Sequence, residues 1–185
     1  MAKQNINSKK GFTIIEVVLV LAIAGLIFLM VFVALPALQR SQRDTARRND
    51  MSRVDTSLIQ YQTNNQNNTN GALPEKSNTT WAGTETFDNC TSSACKFVQR
   101  YMNSGTDSSK NEFKDPDGTY YSLNIDTGAF GASDPGYPKT AMDHTIYIRT
   151  SAKCDGEEAV AEPAGNHFAV LYRLEGAGVY CIDDQ

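Results

Sequence analysis

Histidine is nearly absent from this sequence: among 185 residues only His144 and His167 occur. His144 follows Asp143, but a pair adjacent in sequence is no catalytic triad, which needs three groups converging from separate places. There is no Gly-x-Ser-x-Gly, no His-Glu-x-x-His and no phosphate-loop string. The chain therefore reads as a non-enzyme with no cofactor. Cys-x-x-Cys is missing as well, which removes the usual dithiol redox motif. The pair Cys90-x4-Cys95 stands far from Cys154 and Cys181, so no clustered zinc set is present and no metal is expected. Net charge is −4 and the sequence pI is about 5.2, so overall charge gives no argument for nucleic-acid binding.

Charge is scarcest in residues 12–38, an apolar run in which Glu16 is the single ionisable side chain. A carboxylate inside lipid is costly and is a functional-site hypothesis by default. The run is about 27 residues, enough to span a hydrocarbon core of roughly 30 Å with some tilt. A cleaved secretory signal would be shorter and would end in small residues at an Ala-x-Ala site. This stretch instead runs into Pro36, Gln39 and Arg40. Lys3, Lys9 and Lys10 precede it with no acidic residue among them, which places the N-terminus on the cytoplasmic side. Arg40, Arg43, Arg47, Arg48 and Arg53 follow it, partly offset by Asp44, Asp50 and Asp55, so charge alone does not fix the orientation.

The string Lys9-Lys10-Gly11-Phe12-Thr13-Ile14-Ile15-Glu16 resembles the processing and assembly signature of type IV prepilins, a resemblance that covers about the first 50 residues. It implies a leader over residues 1–11, a cut between Gly11 and Phe12 by an aspartyl membrane protease (the prepilin peptidase), and N-methylation of the new terminus at Phe12. It also implies assembly: Glu16 of one subunit would pair with the Phe12 amine of a neighbour, setting register, while apolar packing supplies adhesion. The bland alternative is a polar residue snorkelling from a helix end. Gly25 and Pro36 interrupt the run. Pro36 removes one helical hydrogen bond, so a kink or a melted stretch is expected near it. Type IV pilins commonly carry a proline three residues earlier, where this chain has Val33.

Beyond Pro36 the pattern predicts an amphipathic stalk helix over residues 39–63. Met51, Val54, Leu58 and Tyr61 follow a 3–4 spacing on one face. The arginines read as a solvated face with Arg40, Asp44 and Arg48 pairing four apart, in preference to a headgroup or nucleic-acid patch. A continuous helix from Phe12 to Gln62 would be about 75 Å long at 1.5 Å per residue. The Asn-rich stretch 64–71 ends it, and residues 64–117 read as a variable loop region with one short helix near residues 94–101. Asn67, Asn78 and Asn89 match the N-glycosylation acceptor pattern, as chance predicts for an Asn/Thr-rich segment. Strands are expected at residues 120–125, 144–150, 167–174 and 179–182, forming an antiparallel meander with one apolar face to cover. The four cysteines admit three pairings. Two disulfides suit an exported head, and the favoured set is Cys154–Cys181, stapling late sheet elements, with Cys90–Cys95 closing a short loop. Asp115-Pro116-Asp117-Gly118 resembles a loop near the sheet of major pseudopilins, some of which bind calcium nearby. It departs from the EF-hand ligand spacing and reads as a turn.

The fold class expected is thus α+β: a long N-terminal helix, half membrane-spanning and half amphipathic, packed on a C-terminal antiparallel sheet spanning residues 118–185. The resemblance implies a major pilin: membrane-anchored as a single-pass precursor, then assembled into an extracellular filament for adhesion, twitching motility or DNA uptake. Its implied partners are copies of itself, the prepilin peptidase, and an assembly platform driven by a cytoplasmic ATPase. The rival readings are a pseudopilin of a type II secretion system, a minor pilin, or a membrane-anchored binding domain that never polymerises.

Overall fold

In the computed structural model, the residues described are 11–65, 73–74, 96–102, 113–134, 137, 144–163, 166–176 and 178–184. By internal packing the chain divides into two units, Met1–Gln39 and Arg40–Gln185. One helix, α1 (Ile14–Asn64), supplies the described part of the first unit apart from residues 11–13 and opens the second. The sheet strands are β1 (Ser122–Thr127), β2 (Thr145–Thr150), β5 (Phe168–Arg173) and β6 (Val179–Asp183), with β3 (Ala152–Asp155) and β4 (Glu158–Ala161) forming a separate hairpin.

In the first unit α1 is apolar on every side, and none of its most apolar stretch is buried by the rest of the chain. Among the described residues it is the helix long and apolar enough to cross a membrane. A helix closes its backbone hydrogen bonds internally, which is what such a stretch requires in lipid. It remains helical through Gly25 and Pro36. The stretch expected to melt near Pro36 is therefore helix in the single chain, consistent with proline removing only one bond of the ladder.

In the second unit α1 buries a stripe made of Asp44, Arg47, Met51, Val54, Ser57 and Leu58. The apolar members pack with Leu123, Ile125, Ile146, Ile148, Phe168, Val170 and Tyr172 on one sheet face. Met51, Val54 and Leu58 are fully buried, and each such side chain contributes about 1.5–3 kcal/mol relative to exposure. A short π-helical turn, Val98–Met102, stands where a short helix was expected. Phe97 just before it and Tyr101 within it pack edge-on to Tyr61.

The four-stranded sheet has the order β1-β2-β5-β6. Side chains in register form rows across it, Ile125–Ile148–Val170–Ile182 on the α1 face and Tyr147–Leu171–Cys181 on the other. The expected meander needs two corrections. First, β1 and β2 run parallel, so no tight hairpin turn can join them. Second, β3 and β4 lie between β2 and β5 in the chain. Their hairpin turns at Gly156 with φ +66°, the left-handed geometry that two-residue hairpin loops require. The far sheet face is consequently covered too: Phe130, Tyr137, Ala152 and Ala159 pack on Tyr147, Ala169, Leu171 and Val179. Alternation along single strands marked out the strands but carried no information on their relative direction.

Candidate processing and assembly site

Gly11, Phe12 and Thr13 precede the first helical residue, Ile14. Phe12 is 90% exposed, and Gly11 and Glu16 are exposed as well. A Cβ at Gly11 would meet no atom within 4 Å. Among the described residues nothing requires glycine there.

Thr13 and Glu16 form a capping box. The Glu16 Oε2 accepts the Thr13 N–H at 2.8 Å and the Thr13 hydroxyl at 2.9 Å, and the Glu16 N–H points back to Thr13 Oγ1 at 3.4 Å. The box answers backbone donors that an α-helix leaves open at its start. The carboxylate also sits at the positive end of the helix dipole. Glu16 thus has a local partner within its own chain in Thr13. The Thr-x-x-Glu spacing ahead of an apolar run is the sequence signal for this arrangement.

The candidate disulfide residues divide. Cys154 on β3 and Cys181 on β6 are bonded, joining the hairpin to the sheet. Cys90 and Cys95 lie outside the described residues, as do residues 66–71 of the Asn-rich stretch and the three acceptor patterns.

The head contains a polar cluster that helical periodicity of apolar residues did not reveal. Arg47 is 1% exposed. Its Nε and Nη2 donate to the two Asp115 oxygens, each at 2.8 Å, and its Nη1 donates to Asp44 at 3.0 Å and Glu175 at 3.1 Å. The bidentate fork is the strong geometry for a guanidinium and a carboxylate. The Tyr172 hydroxyl donates to Asp115 Oδ2 at 2.7 Å. Asp44 also accepts the N–H groups of Glu175 and Gly176, at 2.9 and 2.8 Å, pinning the β5–β6 connection to α1. A Cβ at Gly176 would stand 2.9 Å from Asp44 Oδ2. Arg43 donates twice to Glu175. The arginines are therefore not a purely solvated face: Arg47 is interior, and Asp44 pairs three apart with Arg47 instead of four apart with Arg48.

The electrostatics follow from these contacts. Burial pushes the Asp115 carboxyl up, but Arg47, the Tyr172 hydroxyl and the Asp117 N–H together outweigh it and hold the group at about 2. Hydrogen bonding from Arg43, offset in part by burial and reinforced by Arg47, holds Glu175 at about 2. Residues 115–118 are a turn: the Gly118 N–H reaches the Asp115 carbonyl at 2.8 Å, with Gly118 at φ +92°. His144 lies beside it, Nε2 3.4 Å from Asp117 Oδ2 and Nδ1 3.8 Å from Asp115 Oδ2. Asp115, Asp117 and His144 each offer an atom within 4.8 Å of the others, but both Asp115 oxygens are already committed to Arg47.

Residues 6–32 match the family model of the prokaryotic N-terminal methylation motif. No curated protein and no solved structure matches the chain. The matched residues contain the Gly11–Phe12 junction, the capping box and the first part of the exposed apolar helix, and the chain accordingly carries the class III signal peptide of type IV pilins.

Proposed function

We propose that this chain is the structural subunit of a type IV pilus. It is cut between Gly11 and Phe12 by the prepilin peptidase, N-methylated at Phe12, and polymerised into a surface filament by an assembly platform and its ATPase. Before the cut it is a single-pass protein of the cytoplasmic membrane; afterwards it is extracellular. The observation that carries this reading is the methylation motif set on a helix whose apolar half is not covered by its own chain. A helix apolar all round needs a surrounding of lipid or of other helices, and a filament core of identical helices supplies the second once the first is left behind.

The cut creates an ammonium group at Phe12. The Glu16 carboxylate then has a choice between its Thr13 cap and the amine of a neighbouring subunit. A capping interaction is worth about 1 kcal/mol. Breaking one partner of a buried ion pair costs about 3–5 kcal/mol. On these magnitudes the intersubunit pair wins in a dry filament core, and the cap holds the carboxylate before assembly.

The test is the mature N-terminus of protein sheared from intact cells, read by mass spectrometry. N-methylated Phe12 in that fraction supports processing and surface assembly together. An uncut chain confined to membranes means an anchored domain that does not polymerise, and the reading fails. Processed Phe12 in only trace amounts beside a different dominant subunit would instead identify a minor pilin or a pseudopilin. The filament's use in adhesion, motility or DNA uptake is then a question of phenotype.

A further inference from the structure

The exposed charges of the head are sorted by side. On the α1 side, Arg43, Arg47 and Arg53 each hold an acid of this chain. Arg40 and Arg48 are exposed and less committed. Arg40 Nε stands 4.0 Å from Glu175 Oε1, the outer limit of an ion pair. Arg48 lies over the Tyr180 ring, 5.2 Å from its centroid, and meets no carboxylate among the described residues. On the other side of the sheet, the β3–β4 hairpin carries Asp155 and Glu157 at its turn, both exposed. Neither is paired with a cation among the described residues. Their neighbours are occupied: Glu158 accepts the Ala132 N–H at 2.7 Å, and Lys153 pairs with Glu162 at 2.8 Å.

Both patches flank one end of the head, the end that carries the β5–β6 connection. On one side of that connection, Glu175 and Gly176 donate to Asp44, and Arg48 covers Tyr180 just after it. On the other side, the Glu157 carboxylate fills the space that a side chain at Gly178 would need. Gly178 stands there at φ +56°. The two patches are nonetheless on opposite faces of the sheet. The α1 residues Met51, Val54 and Leu58 pack on the face of Ile148 and Val170. The hairpin residues Ala152 and Ala159 pack on the face of Tyr147 and Leu171.

We propose that the head docks on a second copy of this chain, the hairpin turn of one copy, with Asp155 and Glu157, seating on Arg40 and Arg48 of the next. The inference rests on the filament reading and adds which surfaces of the head meet. Charge complementarity names the partner. The sheet stands between the two patches, so they do not answer each other within one copy. A two-fold pair would need both patches in one interface, and opposite faces forbid that. A head-to-tail contact takes one patch from each copy and leaves one open on each, so it repeats into a ring or an open helix. Because both patches lie at the same end of the head, successive heads stand side by side. The opposed charges set register and reject wrong pairings.

The experiment measures the yield of filaments sheared from intact cells, with the N-terminus of the sheared and the membrane-held chain read by mass spectrometry. One patch is reversed by Arg40→Glu with Arg48→Glu, the other by Asp155→Lys with Glu157→Lys. Either set is expected to cut the yield roughly tenfold, because like charges then face each other. Both sets in one chain are expected to restore it to within about threefold of wild type, since coupled sites do not add. Reversals without effect, or a combined chain no better than either set alone, overturn the contact and leave the filament reading standing. A loss confined to the arginine set overturns it too, and gives those arginines a different anionic partner such as lipid headgroups. If the reversed chains do not fold, neutral sets decide. Asp155→Asn with Glu157→Gln should lower the yield, and adding Arg40→Gln with Arg48→Gln should lower it no further. No loss, or losses that simply add, overturn the proposal. Wild-type chain left uncut in the membrane overturns the filament reading, and this contact with it.

Discussion

The two halves of α1 share one secondary structure and have opposite reasons for it. Residues 14–39 are apolar on all sides and the chain buries almost none of them. Residues 40–64 are mostly polar, and the chain buries one narrow stripe: Asp44, Arg47, Met51, Val54, Ser57 and Leu58. The first half satisfies its backbone internally and leaves its side chains uncovered by its own chain. The second half is held by tertiary packing, as most helices of water-soluble domains are. The polar cluster marks where the second regime begins, because Asp44 and Arg47 occupy the same stripe as the apolar residues that follow. A helix face can thus be interior without being hydrophobic, provided each charge is answered.

Changes that strike one half and spare the other break this comparison cleanly. Glu16→Val should abolish recovery of filaments from the cell surface while leaving urea unfolding of the head unchanged; filaments at normal yield would sink the Phe12–Glu16 pairing. Arg47→Ala should do the reverse. It strands Asp115, whose side chain has no exposure, and should destabilise the head by about 3–5 kcal/mol in equilibrium unfolding. The double change Arg47→Met with Asp115→Leu sharpens the point, since removing both charges should cost less than removing Arg47 alone. If the losses simply add, the two residues are not coupled as their geometry says.

Opening the Cys154–Cys181 bond by paired serine substitutions should cost about 2–4 kcal/mol, measured by thermal or urea unfolding. The loss belongs to the head alone, since the bond closes a loop wholly within Arg40–Gln185. The smallest effect is acid sensitivity. Asp115 and Glu175 are both held at about 2, below their ordinary values of 3.8 and 4.5. Depressed carboxylates bind protons more readily in the unfolded chain, so their contribution is full above about pH 4.5 and is lost as pH falls toward 2. A pH series of unfolding midpoints should show this decline, and Glu175→Gln should flatten part of it. The exposed position of Glu175 keeps its share small.

Much of this was legible from residues alone, for physical reasons that can be named. The apolar run declared a helix because a single uninterrupted apolar stretch of this length can close its backbone hydrogen bonds within itself only as a helix. Met51, Val54 and Leu58 announced the buried stripe by their spacing, and their burial is complete. Strands near residues 145–150 and 168–173 showed themselves by β-branched and aromatic residues between turn signals. The parallel pairing of β1 with β2 was not legible, because alternation is the same for either direction. The β3–β4 hairpin escaped because four-residue strands carry too few positions for a pattern, although Gly156 marked its turn. Arg47 escaped because periodicity searches look for apolar residues, and its partner Asp115 lies 68 residues away.

The sequence by itself determined the N-terminal methylation motif over residues 6–32, the placement of Glu16 in the first helical turn, and the helical character of both halves of α1. These depend on neighbours within a few residues, where local hydrogen bonding and hydrophobic periodicity act directly. Only the tertiary structure decided which charges are interior, which direction β1 takes beside β2, and that Cys154 meets Cys181. Each of these joins residues far apart in the chain, and only the packed fold brings them within bonding distance.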